Sequence, residues 1–184
     1  MSGTKRAFTP LQRLLHWLMA ICLLTMLFVG VGMVATVSPA YVSLVSFHKT
    51  LGIVILLLVV IRLIVRLVYG APALPADMPP LMKLAAHLSH LGFYVLMFAM
   101  PLIGWAMLSA AGYPIVLLGG VTLPPILSPD RATHAVLWTA HQYLAYAFFA
   151  LILAHAAAAL YHAFFRRDGV FEQMTTGASD RVSR

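Results

Sequence analysis

Four stretches of this 184-residue chain, residues 14–37, 47–68, 85–109 and 135–165, are each apolar over a length that crosses a bilayer. Spanning about 30 Å of hydrocarbon takes roughly 20 helical residues. No water is available there to hydrogen-bond an open backbone, so runs of this kind are expected to be helices, packed as one membrane domain over residues 1–184. Composition agrees: 62% of the residues are hydrophobic and 9% are charged, against about 25% charged in an ordinary soluble domain. Mean hydropathy is +0.93. A soluble globular domain and a disordered tail are both excluded. The first run follows Arg13, and Lys5 and Arg6 imitate the basic start of a signal peptide. Its apolar stretch is too long for a signal-peptide core, so a retained signal-anchor helix is expected. Gly70 and four prolines between Pro72 and Pro80 break the chain after the second run. Pro101 and Gly104 are expected to bend the third helix, which a bundle tolerates. The third connection, residues 110–133, is itself largely apolar and is expected to fold over one end of the bundle.

The basic residues give an orientation. Lys5, Arg6, Arg13, Arg62, Arg66, Lys83, Arg166, Arg167, Arg181 and Arg184 fall on one side of the four spans, and only Lys49 and Arg131 on the other. The positive-inside rule then puts both termini of a multi-pass membrane protein in the cytoplasm and the first and third loops outside. Arg62 and Arg66, four residues apart, are expected to snorkel from one helix face to the headgroups. The formal net charge of +7 is too dispersed among apolar residues to track a phosphate backbone, so no nucleic-acid partner is expected. The single cysteine, Cys22, permits neither an internal disulfide nor a C-x-x-C-H attachment motif. Any haem is therefore expected to be held by ligation alone.

Eight histidines, His16, His48, His87, His90, His134, His141, His155 and His162, stand against five acidic residues. Ionisable groups at membrane depth are costly and mark functional positions. His134, His141, His155 and His162 are separated by seven, fourteen and seven residues, with Phe148 at the missing step. One heptad stripe of the fourth helix therefore faces a partner helix. Fourteen residues separate His141 and His155 by about 21 Å along the axis, enough for two large planar cofactors, one in each leaflet. A haem held by two histidines needs a second ligand from a facing helix at matching depth. His48, at the outer start of the second helix, matches His141. For His16, near the inner start of the first helix, depth alone favours His162. Pairing it with His162 would set the irons about 31 Å apart, whereas His155 keeps them near 21 Å, so the expectation is set on His155.

The segments Leu11-Gln12-Arg13-Leu14-Leu15-His16-Trp17, His48-Lys49-Thr50-Leu51-Gly52-Ile53, Arg62-Leu63-Ile64-Val65-Arg66, His87-Leu88-Ser89-His90 and the stretch from His155 to His162 resemble bacterial cytochrome b561. In length and loop pattern the chain is similar to the small diheme members that act as superoxide:ubiquinone oxidoreductases. The resemblance covers residues 8–175. It implies an all-α four-helix bundle enclosing two b-type haems, with His16 and His155 on the inner haem iron and His48 and His141 on the outer. Imidazole on both faces fills the coordination sphere, which makes an electron carrier of the iron. Cationic side chains near the haems would stabilise propionates. The implied reaction oxidises superoxide at a cationic surface and reduces membrane ubiquinone, and no catalytic side chain is singled out. The alternative in the wider superfamily is a quinone-linked subunit that relays electrons to or from a partner dehydrogenase or hydrogenase. A histidine-lined transporter is a third reading, but the spans lack the carboxylates such relays use. His87, His90 and His162, left over after ligation and all toward the inner face, are candidates to give a proton or hydrogen bond to a quinone. His134 is expected to be solvated.

Overall fold

A computed structural model of the protein describes residues 7–177. Lys5, Arg6, Arg181 and Arg184 of the charge tally lie outside the described residues. Four long helices, α1 (Pro10–Ala35), α2 (Ala40–Tyr69), α3 (Pro80–Ala110) and α4 (Arg131–Tyr161), make up the fold. A short hairpin of β1 (Ile115–Val116) and β2 (Thr122–Leu123) lies between α3 and α4. A π-helical turn at His162–Arg166 and a short helix α5 (Val170–Thr175) follow α4. The four long helices are each long and apolar enough to cross a membrane. Large side chains such as Phe28, Leu67 and Phe165 stand exposed on the bundle surface. In a bilayer such residues meet lipid, and the backbone polar groups stay satisfied within each helix.

All four helices begin before the apolar runs do, because helix starts are set by caps and hydropathy marks only the part in hydrocarbon. At α1, Thr9 and Gln12 form a reciprocal capping box and Pro10 occupies the first turn. Asp130 caps α4 by accepting from the Thr133 amide. Hydrogen bonds to Thr133 hold its carboxyl below the usual carboxylate range. Pro80 opens α3, and the helix continues unbroken through Pro101. The Gln12 side-chain amide donates to the Gly70 carbonyl at 2.8 Å, which ties the start of α1 to the end of α2.

Helix α1 packs along α2, α2 against α3, and α3 along α4. By contrast, neither α1 nor α2 packs closely against α4 among the described residues. The buried core is small: Met19, Ile55, Val59, Met97 and Phe148. Phe148 lies midway between His141 and His155 on α4, so this core separates an outer from an inner level of the bundle. The apolar loop after α3 does cover one end. Ile115 is buried, the Leu118 amide donates to the Thr50 hydroxyl at 2.8 Å, and the Ile126 amide donates to the Ser109 hydroxyl at 3.1 Å.

Candidate functional site

Where α4 stands off from α1 and α2, histidine rings fill the approach. At the outer level, His48 of α2 and His141 of α4 face each other with ring centres 6.2 Å apart. The Nδ1 atoms of both rings are buried and have no hydrogen-bond partner among the described residues. Gly104 of α3 lies beside this pair. A Cβ placed there would sit 3.4 Å from His141 Cε1 and 3.8 Å from its Nδ1. The glycine therefore leaves the imidazole room that a larger side chain would take.

At the inner level, His16 of α1 and His155 of α4 are also 6.2 Å apart by ring centres. His155 meets two further rings, His90 of α3 at 6.3 Å and Phe93 at 5.1 Å. The structure thus brings His16 to His155 and not to His162. Arg62 of α2 reaches this cluster, its Nη2 lying 3.1 Å from His16 Nδ1. Its Nη1 is buried without a partner among the described residues. This corrects the expectation that Arg62 snorkels to the headgroups beside Arg66. The two guanidiniums diverge: Arg66 lies over the Phe8 ring, 5.7 Å from its centre, and Arg62 turns into the bundle. Sequence reasoning missed the inward role because a cation one turn from another at a helix end reads as a topology marker.

The remaining histidines separate by environment. His87 is exposed, and its Nδ1 lies 2.6 Å from the Lys83 carbonyl of its own helix. His90 is exposed on the bundle surface while its ring reaches His155. His134 is not simply solvated as the sequence suggested. Its Nδ1 lies 3.0 Å from the Met107 carbonyl, joining the start of α4 to the end of α3. His162 is buried, and its Nδ1 lies 2.8 Å from an Asp168 carboxylate oxygen. Arg166 bridges that same carboxylate to Asp77 in the loop before α3, at 2.9 and 3.0 Å.

The ordering of these motifs on four helices is matched by comparison with known proteins. A family model described as prokaryotic cytochrome b561 matches residues 7–177. The chain belongs to the prokaryotic cytochrome b561 family. Among its relatives, "Cytochrome b561 homolog 2" of Escherichia coli (strain K12) is 29% identical over 175 residues, covering 94% of this chain and 93% of the relative. "Cytochrome b561 homolog 1" of the same organism is 29% identical, covering 91% and 96%. "Probable superoxide oxidase CybB" of Yersinia pestis is 30% identical over 127 residues, covering 69% of this chain and 72% of that one. This cytochrome b561 is accordingly a membrane electron-transfer protein that binds b-type haem.

Proposed function

We propose that this cytochrome b561 holds two b-type haems, on His48 with His141 and on His16 with His155, and passes electrons from superoxide to ubiquinone across a bacterial inner membrane. The observation that carries the reading is the equal spacing of the two ring pairs, 6.2 Å in each. A metal–imidazole nitrogen bond is about 2.0 to 2.1 Å, so two rings on opposite sides of one metal have centres about 6 Å apart. Orphaned polar atoms support it as well. An unpaired polar group in a dry interior costs about 1–3 kcal/mol, yet His48, His141 and Arg62 each keep one. His48 and His141 would hold a haem through their imidazoles, and the unpartnered Arg62 nitrogen would take a propionate.

Haem held by these residues would supply a one-electron ferric/ferrous couple. The chain's own residues do the rest. Lys49, next to His48, places a cation where an anionic reductant approaches the outer pair. Phe148 and the core around it hold the two levels about 21 Å apart along α4 and keep water from between them. Toward the inner end His90, exposed beside His155, and the buried His162 one heptad further inward are the titratable groups available to a quinone. His87 already has its partner in Lys83. Most of the described cations, Arg13, Arg62, Arg66, Lys83, Arg166 and Arg167, lie at this inner end, which by the positive-inside rule is cytoplasmic.

The test is anaerobic oxidation of the reduced protein by a ubiquinone analogue, followed by exposure to a superoxide source with and without superoxide dismutase. Haem rereduction that the dismutase abolishes is the expected result. Oxidation by quinone with no response to superoxide would instead assign the chain to a relay between quinone and a partner protein.

A further inference from the structure

We propose that Asp168 is a positioning residue that, with His162, forms an acid–base dyad delivering protons to the quinone at the inner face; the inference rests on the quinone reading above. The backbone is shaped for this contact. The α-helix of α4 gives way at His162 to a π-helical turn, a form that is rare and recurs at functional sites. Arg167 follows in the left-handed region at φ 51°, where a non-glycine residue is uncommon. Its amide closes the turn on the His162 carbonyl at 2.7 Å. Gly169 has φ 81°. Two reversals in three residues bring a carboxylate back under a histidine six positions earlier, with Asp168 oxygens 2.8 and 3.0 Å from Nδ1. An ordinary helix end would carry residue 168 away from that ring.

The contact fixes the chemistry of the imidazole. A carboxylate accepts only, so Nδ1 carries the proton and donates it, and Nε2 is left as the exchanging nitrogen. Nε2 makes no hydrogen bond among the described residues. Burial works against charge on Asp168, but hydrogen bonds from His162, Arg166 and the Val170 amide outweigh it and hold the carboxyl below its usual range. The dyad is thus anchored on an ionised carboxylate at neutral pH. The surrounding charges are assigned. Arg166 bridges Asp168 to Asp77, Lys83 donates to the Ala76 carbonyl, and Arg167 donates to the Phe164 carbonyl. Glu172 on α5 has one buried oxygen without a partner among the described residues.

Reduction of a quinone to its quinol takes two electrons and two protons. Two superoxide ions, each leaving as dioxygen, supply the electrons through the protein. Each proton passes from the cationic ring at Nε2 to a quinone oxygen, and the neutral ring is recharged from the inner aqueous phase. Asp168 holds the ring in register through the cycle and balances its positive charge.

The experiment follows quinone-driven oxidation of the reduced, haem-loaded protein by stopped-flow from pH 5.5 to 9, in wild type, Asp168→Asn, Asp168→Glu and Asp77→Asn. A full two-haem spectrum in each variant shows that the bundle has assembled. Asp168→Asn keeps an acceptor for Nδ1 but cannot balance the cation. Its rate should fall about tenfold or more at pH 8 and recover toward wild type at pH 5.5, and Asp168→Glu should restore most of the loss. Asp77→Asn, which removes only the far end of the Arg166 bridge, should follow wild type. Superoxide-driven haem reduction should be unchanged in Asp168→Asn. An Asp168→Asn rate equal to wild type, or lowered by the same factor at every pH, overturns the dyad while the quinone reading stands. Wild-type protein left reduced by quinone overturns both.

Discussion

The outer and inner histidine levels have the same ring spacing and opposite surroundings. Outside, His48 and His141 face each other with a glycine against one ring and no charged hydrogen-bond partner among the described residues. Inside, His16 and His155 share their level with His90 and a guanidinium, and one heptad further inward a buried histidine is locked to a carboxylate. The two levels are therefore suited to different work. A site that only receives and passes one electron needs packing and ligands. One that discharges electrons into an acceptor that must also be protonated needs titratable groups within reach. Under the proposed function, the polarity of the inner end is the structural counterpart of that difference.

The comparison breaks most sharply if the two levels are emptied separately. Each of His48→Ala and His141→Ala should lower the haem content from two per chain to one. So should His16→Ala and His155→Ala, with the complementary haem lost, as read from reduced-minus-oxidised spectra and low-temperature resolution of the two bands. A loss of both haems from every variant would mean that the levels are not independent. If His162→Ala removes the inner haem and His155→Ala does not, the pairing at the inner level is wrong.

A smaller and more selective change tests the packing of the outer level. At Gly104 a Cβ would come to 3.4 Å from His141 Cε1, an ordinary contact, so Gly104→Ala should retain the outer haem. The two methyl groups of Gly104→Val have no such room and should push the ring aside. At least half of the outer haem should be lost and the inner haem kept. Gly30→Val is the control, since nothing lies within 4 Å of its added Cβ. Equal losses from Gly104→Val and Gly30→Val would show a general cost of branching within the helix and no special role for Gly104.

How much of this was legible in the sequence depends on what kind of signal each feature leaves. The four helices were legible because twenty apolar residues have few alternatives in a bilayer. Their starts were not, because Thr9 and Asp130 are single polar residues outside the apolar runs. The approach of His155 to His16 could be argued from the fourteen-residue spacing to His141. His90 as a third ring, and Arg62 as a neighbour, could not. In a uniformly apolar helix the pattern of side chains does not say which face turns inward; packing against neighbours sets that rotation. The contact between Asp168 and His162 depends on a π-helical turn and a left-handed Arg167, and neither residue type announces such a backbone.

The subtlest test concerns that inward Arg62. A fixed cation beside a redox centre favours the state with the extra electron, so it holds the potential up. Arg62→Gln keeps a hydrogen-bonding side chain beside His16 Nδ1 and removes the charge. Redox titration should show the inner haem moving to lower potential by tens of millivolts and the outer haem hardly moving, because a charge at the other level is separated from it by the core around Phe148. The asymmetry of the shift is the informative quantity. Equal shifts in both haems would mean that the guanidinium acts through the overall field of the bundle, and the inner level would lose the one charged contact that distinguishes its haem pair from the outer one. A shift confined to the inner haem would tie the electrostatic difference between the two levels to a single side chain.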